Sequence, residues 1–329
     1  MRKTVAVLLL SLAITISYAG TFLNMTILHT NDLHGNLLAY DYPGQMMTTP
    51  AMKDVGGLAR RATMIARIKR NTIGRSIFVI DGGDTFTRGP WHKQWYGEPE
   101  IAALNMMKYD MACVGNNEFK AKDGVESQGI LLNLIKESKF PWLTANWTDA
   151  NGNAIPGVKP YIIKTIRGTR VAFLGLTAPR AKDYPQTKGW IISDPIAAAK
   201  KIMPTLNKEA DIVIAVTHLG FDLDKQLATE VPGISAIVGA DSHTFIYAPA
   251  EVKLPDGRVV PIVQAGENGV MLGELNLNFE KKKNAWKLVK YSGKLITLDN
   301  KIPQNQDMLN LLKKYVEKVA ENIRYRLAA

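Results

Sequence analysis

Cysteine is nearly missing from this chain. Cys113 is the only one in 329 residues, so no intramolecular disulfide can form and no thiolate-rich structural zinc site can be built. Its place in the apolar run Met111–Val114 reads as a small buried hydrophobe. Histidine is scarce too, at five. Beyond the first twenty residues no stretch is apolar for the ~20 residues that a bilayer span requires. There is no internal repeat, no low-complexity segment, no Ser/Gly-rich linker and no nucleic-acid-binding module. What is present, 46% hydrophobic and 22% charged residues, excludes a disordered chain and implies a sizeable core. The length allows one large domain or two modest ones.

The N-terminus has the layout of an export signal. Arg2 and Lys3 precede an apolar stretch, Val5 to Ser17, and Ser17-Tyr18-Ala19 sets small residues at −3 and −1 of a cut before Gly20. Residues 1–19 are therefore expected to be removed, leaving a soluble periplasmic or secreted protein without a transmembrane segment. The net charge is +11, and +9 once Arg2 and Lys3 are gone. Much of the excess lies in Lys281, Lys282, Lys283, Lys287, Lys290 and Lys294. Such a run reads first as a solvated face, and second as an attraction for anionic substrates.

Short β-branched runs alternate with helical patterns, which predicts an α/β core. The expected strands are Met25–Thr30, Ser76–Ile80, Met111–Val114, Trp142–Asn146, Tyr161–Ile166, Val171–Leu176, Ile212–Thr217 and Ile234–Val238. The expected helices are Leu58–Lys69, Glu100–Met107, Gly129–Ser138, Pro195–Asn207 and Leu223–Glu230. After residue 245 the pattern predicts antiparallel strands closing one side of a sheet, with Glu274–Phe279 alternating strictly. Gln306–Leu327 reads as a long amphipathic helix.

Five of the strands run straight into polar loops. They are Asn31-Asp32-Leu33-His34-Gly35, Asp81-Gly82-Gly83-Asp84, Gly115-Asn116-Asn117-Glu118, Thr217-His218-Leu219-Gly220 and Gly239-Ala240-Asp241-Ser242-His243. Asp, Asn and Gly are common turn residues, so any one loop alone is read as a turn. Five in register at strand ends, where open α/β sheets bind ligands, predict a site. Three of the five histidines fall in these loops. Asp32 and His34 are two apart, as are Asp241 and His243, so in an extended segment each pair projects to one side. Imidazole and carboxylate without thiolate suit Mn, Fe, Co or Zn. Seven candidate ligands are too many for one tetrahedral ion and suit two ions sharing a carboxylate.

These five motifs, in this order, resemble the signature of the calcineurin-like metallophosphoesterases, and within them the catalytic domain of the exported 5′-nucleotidases. The resemblance covers about residues 24 to 300. It implies a four-layer α/β/β/α sandwich over residues 20–300, followed by a linker-like helix at 301–329. It also implies two divalent ions, one held by Asp32, His34, Asp84 and His243, the other by a bridging Asp84 with Asn116, His218 and Asp241. The activity implied is hydrolysis of small anionic phosphoesters or anhydrides, nucleotides among them, by a hydroxide bridging the ions.

This sequence departs from the family at three points. Where the family has a His–Asp pair near the leaving group, Asn117 and Lys120 stand here, and Asp241 replaces the first histidine of Gly-x-His-x-His. The nucleoside-gripping domain of full-length nucleotidases has no counterpart in the chain. Asn117 cannot deliver a proton, so poor leaving groups are expected to suffer, while aryl, anhydride or sulfur leaving groups need it less. Lys120 is a candidate to supply that help or a solvated loop residue. Asp241 adds negative charge, which favours a harder ion. Arg88 is expected on the rim, pairing with an anionic oxygen. Trp91 and Trp95, four apart, are expected to pack on one helical face, with His92 a second candidate for the rim. The alternatives are sulfur-ester hydrolysis, as in the thiosulfohydrolase of bacterial sulfur oxidation, and a non-catalytic metal- or ligand-binding protein. The oligomeric state is not legible in the sequence.

Overall fold

Alternation along each strand decides the layering. In β1 (Phe22–Thr30) Met25 and Ile27 face one way and Leu28 the other, and in β4 (Ser76–Asp81) Phe78 and Ile80 oppose Val79. A sheet with two apolar faces must be covered on both. The structure, a computed structural model, describes residues 22–45, 49–89, 91–283 and 285–328. The expected export signal lies outside them.

The chain continues through β2 (Ala39–Tyr42), β3 (Met52–Gly56), α1 (Leu58–Asn71), α2 (His92–Trp95), α3 (Glu98–Met107), β5 (Met111–Cys113), α4 (Glu126–Glu137), β6 (Trp142–Leu143), β7 (Trp147–Asp149), β8 (Val158–Lys159), β9 (Tyr161–Ile166), β10 (Thr169–Leu176), β11 (Trp190–Ile192), α5 (Pro195–Glu209), β12 (Ile212–Thr217), α6 (Phe221–Glu230), β13 (Ile234–Val238), β14 (Ala250–Lys253), β15 (Val259–Val263), β16 (Met271–Lys282), β17 (Ala285–Thr297) and α7 (Gln306–Ala328). One sheet is ordered β17-β16-β1-β4-β5-β6-β8 and the other β14-β15-β13-β12-β10-β9. Met25, Ile27, Phe78 and Ile80 of the first pack against Phe173, Ile214, Val216 and Val238 of the second. Phe78 and Phe173 meet at 5.1 Å across the seam. Helices α1, α3, α4 and α7 cover the outer face of the first sheet, and α5 and α6 that of the second. This is the expected four-layer sandwich. Phe173 is fully buried, so truncating it to alanine removes about 3–5 kcal/mol.

Three expectations change in detail. The run Trp142–Asn146 pairs only over Trp142–Leu143, because the Asn146 amide bonds to the Thr177 and Ser193 carbonyls and leads the chain out of the sheet. The strands after residue 245 divide between the sheets: β15 lies parallel to β13, while β16 and β17 extend the first sheet from β1. The start of the terminal helix is packed on the body, with Met308, Leu312 and Tyr315 buried and Trp95 donating to the Tyr315 carbonyl at 3.2 Å. β17 is an edge strand of 13 residues, with a register shift opposite Asn278/Phe279 and with Lys287, Lys290 and Lys294 exposed. Among the described residues no helix is long and apolar enough to cross a membrane.

Candidate metal centre

The carboxyl ends of β1, β4, β5, β12 and β13 converge, and the five polar loops meet there. Backbone bonds tie the first loop to the second: Asp32 N–H donates to the Gly83 carbonyl at 2.8 Å and His34 N–H to that of Asp84 at 3.0 Å. The buried Glu118 carboxylate ties the second loop to the third, accepting from the amides of Asp84 (2.8 Å), Thr85 (2.8 Å) and Gly115 (2.7 Å). A Cβ at Gly115 would lie 2.3 Å from Asp84 Oδ1, so only glycine allows these loops to close.

The expectation of extended Asp-x-His segments is not met. Asp32 (φ 49°), His34 (49°), Asp84 (55°), Asp241 (85°) and His243 (56°) are all left-handed. Such backbone costs on the order of 1 kcal/mol or more per residue and persists where the surroundings impose it, as they do at functional sites. Five of the seven expected ligands share it.

The side chains converge as well. His34 Nε2 and His243 Nε2 are 3.1 Å apart, and Asp32 Oδ1 lies 3.3 Å from His243 Nε2 and 3.8 Å from His34 Nε2. His218 Nε2 lies 3.3 Å from Asp84 Oδ1, and 3.2 Å from both Asp241 Oδ1 and Asn116 Oδ1. Two groups can each hold an ion, Asp32–His34–His243 and Asp32–Asp84–His218. Asp32 belongs to both, so its Oδ1 is as central as the Asp84 carboxylate.

The donor set fits a cation. Asp32 Oδ2 accepts from Asn31 and from the Asp241 amide, but Asp32 Oδ1 is buried without a hydrogen-bond partner among the described residues. His218 Nδ1 donates to the Gly82 carbonyl at 2.8 Å, which leaves Nε2 facing three oxygens. His243 Nδ1 is fixed in the same way by Glu267 Oε2 at 2.8 Å, and Glu267 in turn accepts from Tyr42 and Gln45, each at 3.0 Å. Such outer partners set the tautomer that a metal-binding histidine needs. The charges agree. Burial opposes protonation of His218, yet Asp84, Asp241 and Asp32 hold it well above the usual range. Burial also opposes it at His243, which Asp32 and Glu267 bring up to about 10. His34, with burial dominant, falls to about 4. Burial pushes Asp84 up, but His218 and His34 hold it below the carboxylate range.

The other expected residues take varied places. Asn117 donates from its backbone to Asp84 Oδ1 at 2.7 Å and from its side chain to Asp84 Oδ2, so its amide braces a candidate ligand. Lys120 Nζ lies 4.0 Å from the centre of the Tyr184 ring. Arg88 is exposed, and its charge reaches His34. Trp91 and Trp95 pack inward, Trp95 edge-on to Tyr315 at 4.9 Å, and His92 meets the Tyr96 ring. Sequence reasoning missed Glu267, Tyr184 and Arg180. Arg180 follows β10 and places Nη1 2.7 Å from Asp241 Oδ2, with Nη2 against Asp241 Oδ1 and 2.5 Å from Asn116 Oδ1. Asn116 Nδ2 donates to the Tyr184 hydroxyl at 3.2 Å.

Residues 25–245 match the calcineurin-like phosphoesterase family model. The chain is 32% identical to a 5′-nucleotidase of Bos taurus over 93% of this chain and 55% of the relative. It thus spans about half the length of the curated relatives it matches. The 5′-nucleotidase precursor of Thermus thermophilus superimposes with a TM-score of 0.79 at 26% identity, over 91% of this chain and 59% of that one. A sulfate thiohydrolase of the same organism shares the fold at a TM-score of 0.74 and 19% identity, over 89% and 60%. With the family model covering most of the chain and the signature residues gathered at one end of the sandwich, the protein belongs to the calcineurin-like phosphoesterase family.

Proposed function

We propose that the protein is an exported, dinuclear-metal hydrolase of phosphoesters or phosphoanhydrides. The observation that carries this reading is Asp32 Oδ1, a buried carboxylate oxygen without a hydrogen-bond partner among the described residues, faced by Nε2 of His34, His243 and, at 4.0 Å, His218. Asp32, His34, Asp84 and His243 would hold one ion, and Asp84, Asn116, His218 and Asp241 the other. Imidazole, carboxylate and amide oxygens suit Mn, Fe or Zn. Two such ions, when bound, supply neutralisation of phosphoryl charge and an activated water. The chain's own residues do the positioning: the Gly82 carbonyl and Glu267 aim the imidazoles, Asn117 steadies Asp84, and Arg88 on the rim pairs with an anionic substrate oxygen. The relatives named 5′-nucleotidase make 5′-nucleotides the first substrates to try.

Asn117 narrows the leaving group. Its amide is engaged on Asp84 and holds no transferable proton, so aryl esters, anhydrides and sulfur esters are favoured over alkoxides. Lys120, on the same loop and packed over Tyr184, is our candidate to stabilise leaving-group charge. The test is elemental analysis for metal together with turnover of p-nitrophenyl phosphate, its bis-aryl diester, nucleotides, pyrophosphate and a thiosulfonate. Turnover of the thiosulfonate alone would move the assignment to sulfur-ester hydrolysis. Bound metal without turnover of any of them would make this a binding protein. Export is checked by the mature N-terminus, expected at Gly20.

A further inference from the structure

We propose that Arg180 sets the order in which the metal centre fills: its guanidinium competes with the ion at the His218 position, so the His243 position loads first. This rests on the metal-centre reading above. Arg180 Nη2 bonds to both Asp241 Oδ1 and Asn116 Oδ1, and those two oxygens each lie 3.2 Å from His218 Nε2. They are the atoms that the second ion would take. An N–H aimed at an oxygen occupies one of its two lone pairs and sets positive charge beside it, so it competes with a cation for that atom. Nη1 holds the other Asp241 oxygen at 2.7 Å, so the carboxylate is gripped at both ends.

The two halves of the centre differ in this respect. Around Asp32 and His243 the hydrogen-bonding neighbours are Asn31, a backbone amide, His34 and Glu267, and among the described residues no guanidinium or ammonium bonds to either. Charge acts in the same direction as competition. Asp241 and Arg180 sum to zero, so the guanidinium cancels the attraction that the carboxylate offers an ion. The arginine has somewhere to go: its side chain is 49% exposed, against 8% for Asp241. Its own turn, Pro179–Asp183, is anchored by buried Ala181, and the following Tyr184 stays bonded to Asn116. Loading the second position therefore requires a side-chain swing and no backbone change.

The experiment is a calorimetric titration of metal-free protein with Mn2+, with electron paramagnetic resonance reporting when two ions sit close together. The wild type is expected to bind in two separated steps. In Arg180→Ala the second step tightens by roughly tenfold to a hundredfold, the range for losing a competing charge-assisted pair, while the first stays unchanged. Arg180→Gln, of similar length, repeats the measurement if the alanine variant folds poorly. In an Asp241→His background, where the guanidinium keeps only its bond to Asn116, Arg180→Ala is expected to have a smaller effect on the second step than in the wild type. A second step that weakens or stays the same in Arg180→Ala overturns the proposal and assigns the arginine to holding Asp241 in place. A protein that binds no Mn2+ at either step removes the metal-centre reading itself.

Discussion

The two ends of the sandwich are built very differently. At the amino ends of β10, β12, β13 and β15 lies a cavity of about 810 Å3, lined by Val213, Ile234, Val260, Trp286 and Tyr291 among others. Four of its five charged residues are paired, Arg170 with Asp211 at 3.4 Å and Arg258 with Asp256 at 2.7 Å, and among the described residues no non-glycine residue lining it is left-handed. At the carboxyl ends, five ligand candidates are left-handed and a buried carboxylate oxygen lacks a hydrogen-bond partner among the described residues. Backbone strain and a buried oxygen without a hydrogen-bond partner mark the carboxyl end, and both cost free energy and cluster at functional sites.

The sharpest way to break this contrast is Asp84→Ala. It removes a ligand and the acceptor that Asn117 braces, and turnover of an aryl phosphate is expected to fall on the order of 10³-fold with loss of bound metal. Asn117→His sets an imidazole where the proposed reading puts the leaving group. Its effect should be selective, raising turnover of an alkyl phosphate by about a hundredfold and changing the aryl ester little, as a comparison of kcat values would show. Glu267→Gln weakens the grip on His243 Nδ1, so affinity for the first ion is expected to drop roughly tenfold to a hundredfold in a metal titration, with the fold intact.

Acidity gives a graded test. His243, held up to about 10, and His218, also raised, both keep a proton in the metal-free protein near neutrality. An ion must displace those protons, so from about pH 6 to about pH 8 affinity should rise about tenfold per pH unit for each proton released. His34, already lowered to about 4, contributes none. The smallest effect belongs to the other end. Arg258→Ala breaks a pair that is 47% and 55% exposed, and both metal affinity and turnover are expected to stay at wild-type values, with stability within about 0.5 kcal/mol. A large loss there would give the far cavity a role.

Much of the centre was legible because its residues follow strands whose apolar runs are unambiguous. Tyr161–Ile166, Ile212–Thr217 and Ile234–Val238 match the observed strands residue for residue. The local conformation was not legible. A spacing of two suggests an extended segment, whereas loop-to-loop backbone bonds impose left-handed geometry on Asp32 and His34. Arg180 was invisible for another reason. It is one of 41 lysines and arginines, 61 residues from Asp241 in sequence, and only the order of the second sheet brings them together. Glu267 likewise enters from the loop before β16.

The basic cluster near the C-terminus has its place in the sheet as well. Among the described residues β17 leaves its outer edge unpaired over 13 residues, a length that invites another chain to add a strand. Lys287, Lys290 and Lys294 are spaced along it, and the register shift near Val289 interrupts its regular pairing. A second copy docking there in register would set lysine against lysine. The sheet is thus guarded against fibrillar growth at its longest open margin, and replacing those lysines with threonine or valine would expose an aggregation-prone edge along the side of the sandwich.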